Sequence, residues 1–409
     1  MVCAVTVTYS LTEQLAKHLL RPVDEATRQR ARLHLLDWLA CVAGARESDI
    51  ARKFRNADPA QAYALLGNVL EMDDVHRMAL LHPGPVIWPS VLWAAAGLEG
   101  ALAAAVRGYE AMIAVGTTFD AYHYAHYHPT ATAGVFGAAA TSSSGVSDEL
   151  ATAHALALAG SVAGGVWQTR HSANGGKQWH VAHAVATGGN ARMLAAFGLT
   201  GPLDVLEGPQ GLHAATCRDP RPMTFPDQWR IHAVSFKPWA ACRHAHPVID
   251  CALELRTAGK LTAPFHVATY ADAITFCDRP NPATETDAKF SLQHAVAVIA
   301  DGRSATPADF TVDAIAALAP LRAAVTVAED PAITARYPAH FGARVNGLEL
   351  IDTRGDPERP VGEADIVAKM HMLAEWGGLP AGAADRAADL ALRGHDTGAI
   401  QAMLAEWLA

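Results

Sequence analysis

A chain of 409 residues that is 51% apolar and only 18% charged has too many core-forming side chains for a disordered protein and enough length for two domains. Its formal charge of −9, with no long block of lysine or arginine, argues against nucleic acid as a partner and makes any anionic substrate dependent on a local cluster of cations. Six scattered cysteines without CxxC spacing, no signal-peptide character over Met1–Ser10 and no uncharged apolar run of about 18 residues point to a cytoplasmic protein without a membrane span.

The first elements are two helices within Thr12–Arg46, broken at Pro22-Val23-Asp24, the second with apolar residues at helical spacing over Leu33–Val42. Glu47–Pro59 is short and polar and reads as a connection. From Ala60 to about Leu212 apolar helical patterns dominate, punctuated by Pro83-Gly84-Pro85, Pro129 and Gly175-Gly176. Alanine-rich runs such as Leu98–Val106 and Ala182–Ala186 favour helices that pack closely. The texture changes near Ile231. Val267–Cys277 predicts a strand, Ala288–Asp301 an amphipathic helix, and Arg322–Ala328 and Gly342–Thr353 further strands, the last turned by the hairpin pair Asn346-Gly347. Ala364–Gly377 and Ala381–Leu408 return to helix. The order predicts a mainly α protein: a helical body, an inserted α+β domain, and a C-terminal return to the body.

Three times a histidine stands directly before a proline that opens an apolar helical run: His82-Pro83, His128-Pro129 and His246-Pro247. Proline favours the first helical position and pushes the preceding residue out of the α region, so each histidine is predicted at a helix cap. Unpaired N–H groups there attract anions, and an imidazole among them can meet a carboxylate or move a proton near neutral pH. The plainer alternative is that His-Pro marks turns.

Glu71-Met72-Asp73-Asp74-Val75-His76, just before His82, supplies carboxylates to orient an imidazole or act as a base, unless it is a solvated acidic turn. On a helix Asp73 and Asp74 would point about 100° apart, so at most one would face a common pocket. Lys177 and His180 share a helical face beside Trp179, a setting in which a lysine clamps a carboxylate or acts as an acid. Cys242-Arg243-His244-Ala245-His246 forms a second cationic cluster, and of His123 and His126 at least one is structural. No HExxH or paired CxxC is present, and His126-Tyr127-His128 and His244-Ala245-His246 alone are weak metal signals. Neither GxGxxG after a strand nor GxxxxGK[ST] supports a nucleotide site, and no GxSxG supports a serine hydrolase.

In order, these segments resemble the MmgE/PrpD family, which includes 2-methylcitrate dehydratases, cis-aconitate decarboxylases and iminodisuccinate epimerases. The resemblance rests on Leu35-Leu36-Asp37 with Ala43-Gly44, on Leu70–His76, on His82-Pro83-Gly84 and on Tyr124–Ala140 around His128-Pro129-Thr130. It continues through Lys177–Gly188, Thr200-Gly201-Pro202, Leu206-Glu207-Gly208, Lys237–Pro247, Ala288–Leu292 and Gly355-Asp356-Pro357, and so spans nearly the whole chain. It implies a large all-helical domain from residues 1–233 and 365–409, a smaller α+β lid over 234–364, and a homodimer. It also implies an active site between body and lid without metal or organic cofactor.

The reaction implied is proton transfer next to a carboxylate of a small di- or tricarboxylic acid, by dehydration or epimerisation. Decarboxylation and non-catalytic dicarboxylate binding are the alternatives, and a metal-dependent hydrolase is a rival from another class. Asp73, Asp74, His82, His128 and Lys177 become the catalytic candidates, with His82 and His128 as acid and base and one aspartate orienting a ring. Glu71, Thr130, His180, Arg243, His244 and His246 become substrate-binding candidates. The chain departs from the family's usual pattern in three ways. Glu71 replaces the usual Asp, Gly108-Tyr109-Glu110 leads to Ala114 rather than to an arginine, and the stretch between Gly44 and Pro59 is short. Leu70–Arg77 with His82-Pro83-Gly84 looks closest to the epimerase branch.

Overall fold

The computed structural model describes residues 9–95, 97–141, 148–171 and 174–409. The first eight residues of the segment read for a signal peptide lie outside this set. Ser10 opens the helix Leu11–Leu19 through a capping box with Glu13, and Asp24 opens Glu25–Ala45 by accepting from the Thr27 N–H. The Pro22 break therefore falls where the sequence places it. Glu25–Ala45 is buried almost all round because other helices surround it. Pro59–Gly67 and Leu98–Gly116 pack on it from the first half of the chain, and Glu363–Trp376 and Ala383–Leu392 from the C-terminal end. The last pair comes very close: a Cβ on Gly377 would lie 2.0 Å from the Ala43 carbonyl oxygen, so only glycine fits.

The helix Pro129–Ala139 packs between Leu98–Gly116 and Gly176–Ala196, and small residues set the spacing. At Gly188 a Cβ would come within 2.6 Å of the Val135 carbonyl oxygen. This alanine and glycine packing fixes the starts of two helices, at His128 and Lys177, relative to each other.

Among the described residues, two sheets complete the fold. In the first, β1 (Val75–His76) pairs antiparallel with β2 (Val234–Ser235) and ties the acidic loop to the chain that leads to Lys237. The second contains β3 (Phe265–Thr269), β4 (Val325–Glu329), β5 (Ala343–Val345) and β6 (Leu348–Leu350), in the order β4-β3-β5-β6. β3 and β4 are parallel and the other pairs antiparallel. Asn346 and Gly347, both at positive φ (43° and 89°), make the β5–β6 turn as the sequence predicts. No helix among the described residues is long and apolar enough to cross a membrane.

Four expectations need correction. Glu47–Pro59 holds a short helix, Asp49–Phe54, capped by Ser48. The strand expected over Val267–Cys277 ends at Thr269 and becomes the helix Ala271–Cys277, because the alternating run stops at Tyr270 and helix-compatible Ala-Asp-Ala follows. Ser291 splits the helix expected over Ala288–Asp301 by capping Leu292–Ala300. The last helix is two, Ala383–Leu392 and Thr397–Leu408, the second started by the Asp396 side chain.

Candidate active site

The acidic loop is not helical. Glu71 sits at φ 59°, and a bend at Asp73 leads into β1, with the two aspartates turned to different partners. Asp74 turns into the helical core, where its carboxylate meets His34 Nδ1 at 2.8 Å, the Tyr109 hydroxyl at 2.6 Å and the Gly84 N–H at 2.7 Å. Burial pushes its carboxyl up to about 6. Asp73 turns the other way. Its Oδ2 accepts from Asn68 at 2.6 Å and lies 3.0 Å from His82 Nδ1, and its Oδ1 accepts from Lys237 at 3.3 Å. Burial opposes its charge, but the Lys237 ammonium and the His82 ring hold its carboxyl well below the usual range.

His82 is thus gripped on one edge. Its Nδ1 also lies 3.1 Å from the Asp74 carbonyl oxygen, and its backbone N–H donates to Thr130 Oγ1 at 3.1 Å. With Nδ1 committed to acceptors, Nε2 is the ring nitrogen left for a ligand. The pattern is that of a carboxylate-oriented imidazole, in which the acid fixes both tautomer and ring direction.

Lys177, in the first turn of Gly176–Ala196, donates to both oxygens of Glu71 at 2.5 and 2.7 Å. Burial disfavours both charges, yet each holds the other: Glu71 is shifted below its ordinary value and Lys177 above. His128 caps Pro129–Ala139, and its ring stacks on Trp167 with centroids 4.4 Å apart. Burial and the nearby Lys177 ammonium push it well below the ordinary histidine value, so it is neutral. Its Nδ1 faces His180 Nδ1 at 3.3 Å, so one of these nitrogens carries a proton and the other accepts it.

A cavity of about 670 Å³ opens on this group, lined among others by Glu71, His82, His128, Lys177, Arg243 and Lys289. It draws on both the helical region and the region around the four-stranded sheet, and its size suits a small-molecule ligand. A family model for the MmgE/PrpD N-terminal domain matches residues 55–224, and one for the C-terminal domain matches 239–393. The chain belongs to the MmgE/PrpD family. A search of curated proteins finds no match. Membership supports a dehydratase- or epimerase-like enzyme in general. The six lining residues named above all fall within the matched MmgE/PrpD segments, whereas Lys237 falls between them.

Several sequence candidates do not reach the cavity wall. Asp74, Thr130 and His180 are buried behind it, supporting other groups. His246 is a correction to the cap prediction. A 3₁₀ turn over Arg243–Ala245 feeds directly into the helix, so His246 is its first residue rather than its cap, and its Nε2 lies 3.1 Å from the Ala241 carbonyl oxygen. His82 lies one residue before its cap, Pro83. The segment Cys242–His246 carries one cation, not three. Stacked on Phe276 (5.1 Å), His244 lies 2.8 Å from the Tyr270 hydroxyl, and burial pushes it down to about 3. His123 is buried against Phe119 while His126 is exposed. Trp179 points outward, and Trp167 supplies the aromatic wall instead.

Sequence reasoning passed over Asn68, Trp167, Lys237 and Lys289 as site residues. Lys237 and Lys289 stood inside motifs already noted, Lys237-Pro238-Trp239 and Ala288-Lys289-Phe290, and a lysine among apolar neighbours was the available signal. Among the described residues, neither His-x-His pair converges with further ligands. The group of metal-type side chains that comes together among the described residues is His340, Asp352 and Glu358, away from the cavity wall, with Arg77 already donating to both acids.

Proposed function

We propose that the protein is a proton-transfer enzyme acting next to a carboxylate of a small di- or tricarboxylic acid, by dehydration or epimerisation. The observation that carries this reading is the Asp73–His82 pair, which directs a free imidazole nitrogen at a cavity with cations in its wall. In this mechanism His82 Nε2 removes a proton from the carbon beside the substrate carboxylate. The Asp73 carboxylate stabilises the imidazolium that forms, and the Lys177 ammonium faces the negative charge growing on the substrate. Neutral His128, whose proton position is set by His180, is the second proton carrier. A dehydration balances when the proton taken by His82 passes to the departing hydroxyl, which leaves as water with the His128 N–H hydrogen-bonded to it. An epimerisation balances when the His128 N–H gives its proton to the opposite face of the carbon and is recharged, through solvent, by the proton that His82 has taken. A decarboxylation would need only the delivery of a proton to the carbon.

The residues 234–364 act as the lid over a body made of 1–233 and 365–409, which accounts for a cavity lined from both. A homodimer is part of the proposal. Trp179, Met193 and Phe197, exposed along the outer face of Gly176–Ala196, support it as an apolar stripe a second copy would cover.

Proton NMR in D2O tests the reading, with iminodisuccinate, 2-methylcitrate, citrate and cis-aconitate as the panel and Lys177→Ala as control. Deuterium entering a carbon beside a carboxylate with the wild type alone is expected. The product then distinguishes inversion, loss of water and loss of CO2. Silence over the whole panel would remove these substrates and leave the reading without support.

A further inference from the structure

The six cysteines carry no spacing pattern in the sequence, yet the fold brings two of them together. Cys242 stands in the cavity wall with Glu71 and Lys177. Cys277, the last residue of the helix Ala271–Cys277, is fully buried and does not line the cavity. Ring contacts fix the two segments against each other. His244, two residues past Cys242, stacks on Phe276, the neighbour of Cys277, with centroids 5.1 Å apart. Its Nδ1 also lies 2.8 Å from the hydroxyl of Tyr270, which caps that helix. On its other side the Cys242 N–H donates to the Lys289 carbonyl oxygen at 2.8 Å. Held in this way, the Cys277 S–H donates to Cys242 Sγ, which also accepts from the His244 N–H.

Proton transfer in the cavity uses neither sulfur. The other described cysteines are placed differently. Cys41 lies in the helical core, Cys251 donates to the Ala343 carbonyl oxygen at 3.3 Å, and Cys217 stands beside the Thr216 hydroxyl. A thiol pair in contact, with one sulfur facing a cavity and the other sealed behind it, has the layout of an attacking and a resolving cysteine. The hydrogen bond from Cys277 holds the Cys242 thiol below its ordinary value, whereas burial pushes Cys277 well above. The sulfur that faces the cavity is therefore the readier thiolate.

We propose that Cys242 and Cys277 form a peroxide-responsive dithiol in the cavity wall, in which Cys242 reacts first and Cys277 closes the disulfide. The Cys242 thiolate attacks one oxygen of hydrogen peroxide and the O–O bond breaks. The sulfur becomes a sulfenic acid, and the hydroxide released takes up the proton that Cys242 gave off, leaving as water. The Cys277 thiol then attacks the sulfenic sulfur, the S–O bond breaks, and a second water leaves with the thiol proton. The two sulfurs together give two electrons to the peroxide. This goes beyond the proton-transfer reading and does not rest on it, since it needs only the cavity and the two sulfurs.

Peptide mapping of the full chain after treatment with hydrogen peroxide, with remaining thiols alkylated under denaturing conditions, tests the assignment. The wild type should yield a peptide pair joined through Cys242 and Cys277, which a dithiol reductant separates. In Cys277→Ala the sulfenic acid should persist on Cys242 and be captured by dimedone. In Cys242→Ala, Cys277 should stay unmodified. Thermal melts verify that each variant keeps the fold.

Phenylarsine oxide probes the geometry without any oxidant, because one arsenic bonds two neighbouring thiols and releases water. It should protect both cysteines of the wild type from alkylation, and either single variant should bind it about a hundredfold more weakly, the second bond being intramolecular. Peroxide that oxidises other cysteines while leaving this pair reduced would overturn the assignment, and the wild-type mapping decides this even if a variant misfolds. So would Cys277 oxidised at the wild-type rate in Cys242→Ala, or an arsenical held equally by wild type and both variants.

Discussion

Acidifying the protein from pH 7 to pH 5 should cost it several kcal/mol of stability, because buried neutral histidines outweigh buried carboxylates. Burial lowers His76, His123 and His244 to about 3 and His294 to about 4, and all four are buried. A histidine whose folded pKa is depressed stays neutral in the fold while its unfolded counterpart takes up a proton below about 6.5, so acid favours the unfolded chain. Between pH 7 and 5 each such group costs about 1.9 kcal/mol, or roughly 7.5 kcal/mol for the four.

Asp37 and Asp74 act in the opposite sense. Burial raises both to about 6, so the fold binds protons there before the unfolded chain does. Each gains about 1.3 kcal/mol over the same interval, roughly 3 kcal/mol in all. The depressed carboxyls of Glu71 and Asp73 give up their stabilisation only below about pH 4, outside this window. The net loss from these six groups, about 5 kcal/mol, is a large part of a typical domain's 5–15 kcal/mol. Urea midpoints and melting temperatures at pH 5, 6 and 7 measure it. Equal or higher stability at pH 5 would refute the argument, since it would require these imidazoles to be charged or solvated in the fold.

Two further outcomes follow from the buried ion pairs. Lys369 donates to Asp37 and to the Met72 carbonyl oxygen, both at 2.6 Å, and thereby pins the acidic loop. Lys369→Met should cost about 3 kcal/mol or more at pH 7, and less at pH 5 where Asp37 is protonated, as chemical denaturation at the two pH values would show. Glu71→Gln removes the charge that offsets the burial of Lys177, so the lysine should titrate lower and the alkaline limb of the pH–rate profile should move to lower pH. A limb that stays in place would mean that Lys177 does not govern it.

Much of this architecture was legible in the sequence because its signals are local. Pro22, the Asn346-Gly347 pair and the period of the long helices act within a few residues, and each falls where expected. The element types failed where one residue decided the matter, as at Ser291 and Tyr270. The roles of Asp73 and Asp74 were not legible from their spacing. A bent loop sends them to different partners, Lys237 and Tyr109, which lie 164 and 35 residues away. The cationic character expected of His244 and His246 failed because burial removes the charge.

The most direct test compares deuterium exchange at the substrate carbon beside the carboxylate, catalysed by wild type, His82→Gln and Asp73→Asn, with binding measured in parallel. If Asp73 orients a catalytic His82, His82→Gln abolishes exchange. Asp73→Asn then slows it by about a hundredfold or more, with substrate still bound. Exchange at the wild-type rate in His82→Gln would contradict the assignment of His82 as the base and leave His128 or Lys177 to take its place.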